Sequence, residues 1–239
     1  MSPIDPTTSL AEIVTERPYL APVLDRLGLD YCCGGERGLA EAAAGTGLDL
    51  AEILDLLDAA PESEPAVEWG GLDLADLVTH IEESHHAYLR DALPRLRSLA
   101  EKVHDVHGER HPELAAVRDL VGALAADMEP HLLKEERILF PMVRELAEAT
   151  TAPTFHCGSL GNPIHVMSVE HDRVGELLRH LRTRTGGYTT PGDGCASFRA
   201  LYEGLAELEA DTHLHVHKEN NVLFPAVMAA EQALAGSDR

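Results

Sequence analysis

Apolar residues recur every three to four positions over four long stretches, about 72–105, 112–149, 164–184 and 195–232, the spacing that lines one face of an α-helix. Segments rich in helix breakers separate them: HGERHP, TTAPTFHCGSLGNP and TGGYTTPGDG. Alternating β-branched residues are almost absent, so the pattern predicts an all-α chain whose larger part is a four-helix bundle. Asp73, just after Gly70 and Gly71, stands where it would cap the first long helix. Residues 1–60 carry shorter helical patterns, ending in LDLAEILDLLDAA, around an irregular centre, DYCCGGERG. Between the two parts PESEPAVEWGG reads as a linker. The expected organisation is a small helical N-terminal module (1–60), a linker (61–71) and a bundle (72–235). A flexible chain of that linker's length spans roughly 17–20 Å, which gives a mobile module the reach to visit the mouth of the bundle.

The bundle contains an internal repeat. HLLKEERILFP at 131–141 returns as HVHKENNVLFP at 215–225, with His-x-x-Lys-Glu and Leu-Phe-Pro in register. Upstream, SHHAYLRDALPRL and EHDRVGELLRHL align His86 with His171. Apolar residues follow at the same intervals, Leu89, Leu93 and Leu96 in one copy and Val174, Leu178 and Leu181 in the other. Each half is then one helical hairpin, with a His on its first helix and His-x3-Glu on its second. Pro141 and Pro225, six residues past each Glu, predict local kinks.

Residues i and i+4 project from one helix face. His131 therefore points with Glu135, and His215 with Glu219, and the apolar residues that follow mark that face as inward. His86 and His171 continue the apolar stripes of their own helices. Four imidazoles and two carboxylates thus converge on the interior. Buried carboxylates are costly without a compensating cation, and two metals match the two-fold repeat better than one. If each Glu bridges, each metal takes two nitrogens and two carboxylate oxygens. A shared oxo or hydroxo group makes five ligands and leaves one position for a small molecule. Structural zinc prefers a closed set of four ligands, commonly with Cys; mixed imidazole and carboxylate donors suit iron or manganese. The ferritin-type pattern needs Glu-x-x-His on two helices, whereas Glu82/His85, Glu83/His86 and Glu101/His104 all fall on one. Glu136, next to Glu135 but about 100° round the helix, is expected to face solvent.

Composition narrows the function. Nineteen Lys and Arg against 41 Asp and Glu give a formal charge of −22, a field that repels nucleic-acid backbones and anionic lipid. No apolar run approaches the roughly 18–20 residues of a membrane span, and MSPIDPTTSLAEIV lacks the regions of a secretory signal. The expectation is a cytoplasmic protein with no nucleic-acid or membrane partner. Four Cys are too few for a disulfide scaffold, and Cys32 and Cys33 are adjacent.

The bundle motifs resemble those of hemerythrin-like di-iron proteins. Together with DYCCGG at 30–35, they make the whole chain similar to the repair-of-iron-centres family of bacterial stress proteins. The resemblance implies that His86, His131, Glu135, His171, His215 and Glu219 bind two iron ions with a bridging oxo or hydroxo group, Glu135 and Glu219 bridging. It implies repair of iron–sulfur clusters damaged by nitric oxide or oxidants, with iron donated once reduction or nitric oxide loosens the bridge. Damaged iron–sulfur proteins are the implied partners, nitric oxide or oxygen the small ligand, and a homodimer through the N-terminal module is suggested by analogy. Nitric oxide reduction at the same centre is the main alternative; non-catalytic oxygen binding or sensing is the other. The chain departs from the family pattern at 151–165, which adds His156, Cys157 and His165.

Other residues have weaker signals. Cys32 and Cys33, followed by Gly34 and Gly35, are either a relay for iron, thiol or nitrosyl groups or a packed turn. Glu170 and Asp127 are candidate carboxylates behind the metal ligands, relaying protons or opening an iron exit. His104, His107 and His111 gather at the end of a helix, where cations suit the dipole, and a second metal site there is the minor reading. His80, His85, His180, His213 and His217 fall off the inward stripe and are expected at the surface. Cys195, at the start of the last helix, is expected to be structural.

Overall fold

The computed structural model describes residues 4–62 and 69–237. Four short helices build the N-terminal part: α1 (Leu10–Glu16), α2 (Ala21–Leu27), α3 (Leu39–Thr46) and α4 (Leu50–Asp58). Each has a local cause. Ser9 and Glu12 form a reciprocal capping box on α1. Gly28, left-handed at φ 68°, ends α2, and Asp49 caps α4. Their inward residues, among them Leu10, Val14, Leu24, Leu39 and Ile53, form one apolar cluster with Tyr31 of the α2–α3 connection.

The four long stretches fold as four rods. The first is α5 (Leu74–Ile81), a π-turn (Glu82–His86) and α6 (Ala87–His107). The second is α7 (Glu113–Lys134), a π-turn (Glu135–Leu139) and α8 (Phe140–Glu148). The third is α9 (Gly161–Arg184), and the fourth α10 (Ala196–Lys218), a π-turn (Glu219–Leu223) and α11 (Phe224–Ser237). Asp73 does cap the first rod, through the Asp76 amide. No extended strand occurs among the described residues, only isolated bridges.

The repeated prolines act through the π-turns. Pro141 and Pro225 have no amide hydrogen for the carbonyl four residues back. The residue before each, Phe140 or Phe224, instead donates five residues back, to the carbonyl of Glu135 or Glu219. The helix widens by one residue where the metal-binding pattern begins, a common use of π-turns.

Two apolar clusters stack along the bundle, one on either side of the His/Glu belt. The larger contains Leu89, Leu93, Leu96, Val121, Leu124, Val174, Leu178, Leu181, Leu201 and Leu205, including all six repeated apolar positions. The smaller contains Val78, Ile81, Leu139, Phe140, Val143, Leu223, Phe224 and Val227. Phe155 and Leu160 of the 151–165 connection join it, while His156 and His165 stay exposed. Cys157 Sγ lies 4.0 Å from Met142 Sδ.

The N-terminal module is docked, which corrects the expectation of a roaming module. Val216 of α10 belongs to the module's own apolar cluster. His217 Nδ1 donates to the Tyr31 carbonyl (3.3 Å), and His213 Nδ1 donates to Asp25 Oδ1 (2.7 Å). Residues 63–68 of the expected linker lie outside the described residues. Its last part packs down, Trp69–Gly71 forming a 3₁₀ turn with Trp69 buried. A methyl group at Gly35 would stand 2.4 Å from the Tyr31 carbonyl oxygen and 2.9 Å from Ala11 Cβ. Gly35→Ala is therefore expected to destabilise the module by about 1–3 kcal/mol, read as a lower midpoint in denaturant unfolding.

Candidate metal centre

The three π-turns place their first or last residues at one level of the bundle. His86 closes the first turn, Glu135 opens the second and Glu219 the third. His131 and His215 lie one helical turn before the two glutamates, and α9 contributes His171. All six side chains are at most 1% exposed. They sort into two overlapping groups, His86–Glu135–His215–Glu219 and His131–Glu135–His171–Glu219, whose donor atoms lie within 4.8 Å of one another in each group. Both glutamates belong to both groups. Glu219 splits its oxygens, Oε1 lying 3.1 Å from His215 Nε2 and Oε2 3.1 Å from His171 Nε2. Glu135 Oε2 lies 3.5 Å from His86 Nε2 and 3.3 Å from His131 Nε2.

The ring orientations show what these atoms suit. His131 Nδ1 donates to Glu170 Oε2 (2.9 Å) and His171 Nδ1 to Asn220 Oδ1 (2.9 Å). In a neutral ring that leaves Nε2 a bare lone pair, yet the two Nε2 atoms face each other at 3.1 Å. His86 and His215 repeat this, with Nε2 atoms 3.2 Å apart and His86 Nδ1 donating to Glu136 Oε1 (2.9 Å). Both oxygens of Glu135 and Oε2 of Glu219 are buried without a hydrogen-bond partner. Burial alone would raise both carboxyl groups; the imidazoles around them hold both below the usual carboxylate range, Glu219 furthest. Converging lone pairs and ionised, unpartnered carboxylates in an apolar enclosure fit cations.

Several expectations change here. Glu136 does not face solvent. It accepts from His86 Nδ1 and from Arg90 Nη1 (2.6 Å), because the π-turn and the approach of α6 bring it over the imidazole. Glu170 does stand behind a His of the cluster, itself held by Lys134. Asp127 does not; it pairs with Arg173 (2.6 Å) on the flank of the bundle. His180 is exposed as expected, but His85 and His217 are buried and His80 and His213 half-buried. Tyr31 of the docked module lies against His213 and His217, and Trp69 against His217, while α10 covers His85 and His80. Burial pushes His85 and His217 down to about 4, and Lys218 down to about 8. Lys218 Nζ reaches His85 Nε2 (2.7 Å) and His80 Nε2 (2.9 Å), and Asp211 accepts from His85 Nδ1 (2.8 Å).

His104, His107 and His111 do not converge as a donor group among the described residues; the one group outside the belt is Asp30, Cys32 and Cys33. His107 Nε2 meets Cys195 Sγ (3.1 Å), and His111 lies between Glu113 and Asp193. Cys195 is the N-terminal cap residue of α10.

Cys32 and Cys33 sit where the module meets α9 and α10. Asp30 Oδ1 accepts from the amides of Cys32 (3.2 Å) and Cys33 (2.9 Å). The neighbouring Cys33 thiol, then burial and Asp30, push the Cys32 thiol well up. A cavity of about 350 Å3 lined by Asp30, Cys32, Cys33, Gly175, Arg179 and Glu209 opens beside them. Asn220, which holds His171, also donates to the Cys32 carbonyl (3.3 Å), and Asn221 donates to the same oxygen (3.1 Å). Sequence reasoning missed these two asparagines; their signal was their place directly after Glu219, opposite Glu136 and Arg137 in the other copy of the repeat.

Comparison with known proteins places this geometry. Residues 77–227 match the hemerythrin HHE cation binding domain. The chain belongs to the hemerythrin HHE family. Its bundle is thus a cation-binding domain, and residues 6–61 match a domain of unknown function, DUF542. The chain is 34% identical to the iron-sulfur cluster repair protein YtfE of Cronobacter sakazakii, over 93% of this chain and 97% of the relative. It is 36% identical to the protein of the same name from Musicola paradisiaca, with the same coverage. Identity to a probable iron-sulfur cluster repair protein of Haemophilus influenzae is 35%, over 92% of this chain and 96% of that one. No helix among the described residues is long and apolar enough to cross a membrane.

Proposed function

We propose that this chain repairs iron–sulfur clusters damaged by nitrosative or oxidative stress, in the cytoplasm, by giving up iron held between its four bundle rods. The observation that carries this reading is the belt of four imidazoles with two buried, unpartnered glutamates, found in a chain similar along nearly its whole length to proteins named for that repair. His86 and His215 would hold one iron and His131 and His171 the other, with Glu135 and Glu219 available to both. The donor set favours iron or manganese over a closed structural zinc site; bound iron supplies redox chemistry and is itself the cargo. Within the chain, Glu136, Glu170 and Asn220 fix three rings by their Nδ1 atoms, and the two apolar clusters exclude water above and below. Cys32 and Cys33, tied to His171 through Asn220, are the proposed relay toward an acceptor.

The test is transfer. Iron-loaded chain mixed anaerobically with an acceptor whose damaged cluster keeps its sulfide but lacks iron should lose iron as that cluster is completed. Steady nitrous oxide output from nitric oxide without iron loss would overturn the donor reading in favour of a reductase. Cys32→Ser/Cys33→Ser is expected to retain its iron but transfer it slowly; transfer at the wild-type rate would reduce the loop to a docking element. Glu136→Ala, which frees His86 Nδ1, is expected to weaken iron binding by about 10-fold, measured by competition with a ferrous chelator.

A further inference from the structure

The two halves of the centre are alike in their ligands but not in what holds the ligands. Positions around the repeated motifs correspond in pairs. Glu136 follows Glu135 as Asn220 follows Glu219, and His85 precedes His86 as Glu170 precedes His171. The first pair keeps the approximate two-fold symmetry: Glu136 accepts from His86 Nδ1 and Asn220 accepts from His171 Nδ1, both at 2.9 Å. The second pair breaks it. Glu170 reaches across to accept from His131 Nδ1 (2.9 Å). Its counterpart His85 offers His215 no acceptor. The His85 ring lies parallel to the His215 ring, centroids 5.5 Å apart and planes 8° apart. Its two nitrogens are already committed to Asp211 and Lys218. His215 Nδ1 is accordingly buried with no hydrogen-bond partner, alone among the Nδ1 atoms of the four imidazoles.

An acceptor behind a ligating imidazole fixes its ring and raises its basicity, and losing one costs about 10–100-fold in metal affinity. The His131/His171 half has an acceptor on both rings. The His86/His215 half has one, Glu136, and that carboxylate oxygen is shared with the Arg90 guanidinium. A basic amine, Lys218, is moreover buried on the His215 side, one residue from Glu219.

We infer that the two irons are held unequally, and that the ion between His86 and His215 is the one released for repair. His85 and Glu170 are then the positioning residues that set the difference, the first by failing to accept from His215 and the second by accepting from His131. The inference rests on the di-iron donor reading above and adds to it which iron leaves.

The full-length chain, stripped of metal, can be titrated anaerobically with Fe2+ against a ferrous chelator, with iron bound per chain as the readout. Two steps about 10-fold or more apart are expected. Repulsion between two neighbouring ions would also separate the steps, so the variants decide. Glu170→Ala should weaken the tighter step by about 10-fold or more and narrow the gap. Glu136→Ala should weaken the looser step and widen it. His215→Ala should remove the looser step and leave the tighter one in place. A merely structural role for Glu170 would lower both steps together. Equal steps in the wild type, or shifts of the same kind from Glu170→Ala and Glu136→Ala, overturn the inference alone. Uptake of fewer than two irons per chain overturns the di-iron reading, and the inference with it.

Discussion

Glu219→Ala is expected to take the chain from about two bound irons to well under one, the largest single effect among substitutions in the bundle. Glu219 is the residue whose two oxygens reach both halves of the belt, each 3.1 Å from a different imidazole. Without it each half has its pair of His nitrogens and a share of Glu135 alone, and the negative charge facing the two cations is halved. Ligands of this kind act together, so the loss exceeds the 10–100-fold expected for a residue one shell out, such as Glu136 or Glu170. The rods themselves should survive. The two apolar clusters that hold them together do not include Glu219, and alanine is a strong helix former. Metal analysis after anaerobic reconstitution reads the first outcome and far-UV circular dichroism the second. A folded variant that still binds two irons would remove Glu219 from the centre, and with it the assignment of shared carboxylates.

Tyr31→Ala should release the N-terminal module while leaving the bundle loaded. Tyr31 is 1% exposed. Its ring lies edge-on to His217 (5.6 Å between centroids) and His213 (6.1 Å), and its hydroxyl donates to Asp25 (3.4 Å). Truncating a buried aromatic side chain of this kind costs about 3–5 kcal/mol, and here the cavity opens at the seam between module and bundle. The loss should appear as faster tryptic cleavage after Arg26 and Arg37, since proteolysis follows the population of locally opened states. Iron content should stay near wild type, because none of the six donors belongs to the module. Unchanged cleavage would mean that the apolar seam around Val216, rather than Tyr31, carries the docking.

Much of the bundle was legible from spacing. The 3.6-residue stripe requires a buried face, and the two copies of His-x3-Glu with Leu-Phe-Pro placed their side chains on it. Leu89, Leu93 and Leu96 and their partners Val174, Leu178 and Leu181 are all buried. Glu135 and Glu219 followed from the same rule, since i and i+4 share a face whatever the helix packs against. The rule failed one position on. Glu136 was assigned to solvent by its 100° offset, but a π-turn redistributes the positions that follow it, and α6 lies close enough to offer His86.

The other misplacements share one cause. His85 and His217 are outward by the periodicity of their own rods; α10 covers the first through Asp211 and Lys218, and Tyr31 and Trp69 cover the second. Asp127 stands one turn before His131, as a carboxylate behind the centre should, yet the nearby Arg173 takes it. Periodicity describes a helix against a single partner surface; it carries no term for a second surface supplied by distant sequence. The sequence by itself determined the all-α architecture, the two-fold repeat and the six side chains of the belt, because these depend on short spacings within each helix and on the recurrence of one motif at 131–141 and 215–225. Only the tertiary structure decided which acceptor stands behind each imidazole, why His215 has none, and where the Cys32–Cys33 loop rests. Those depend on contacts between residues 39 to 189 positions apart, and no local spacing rule reaches that far.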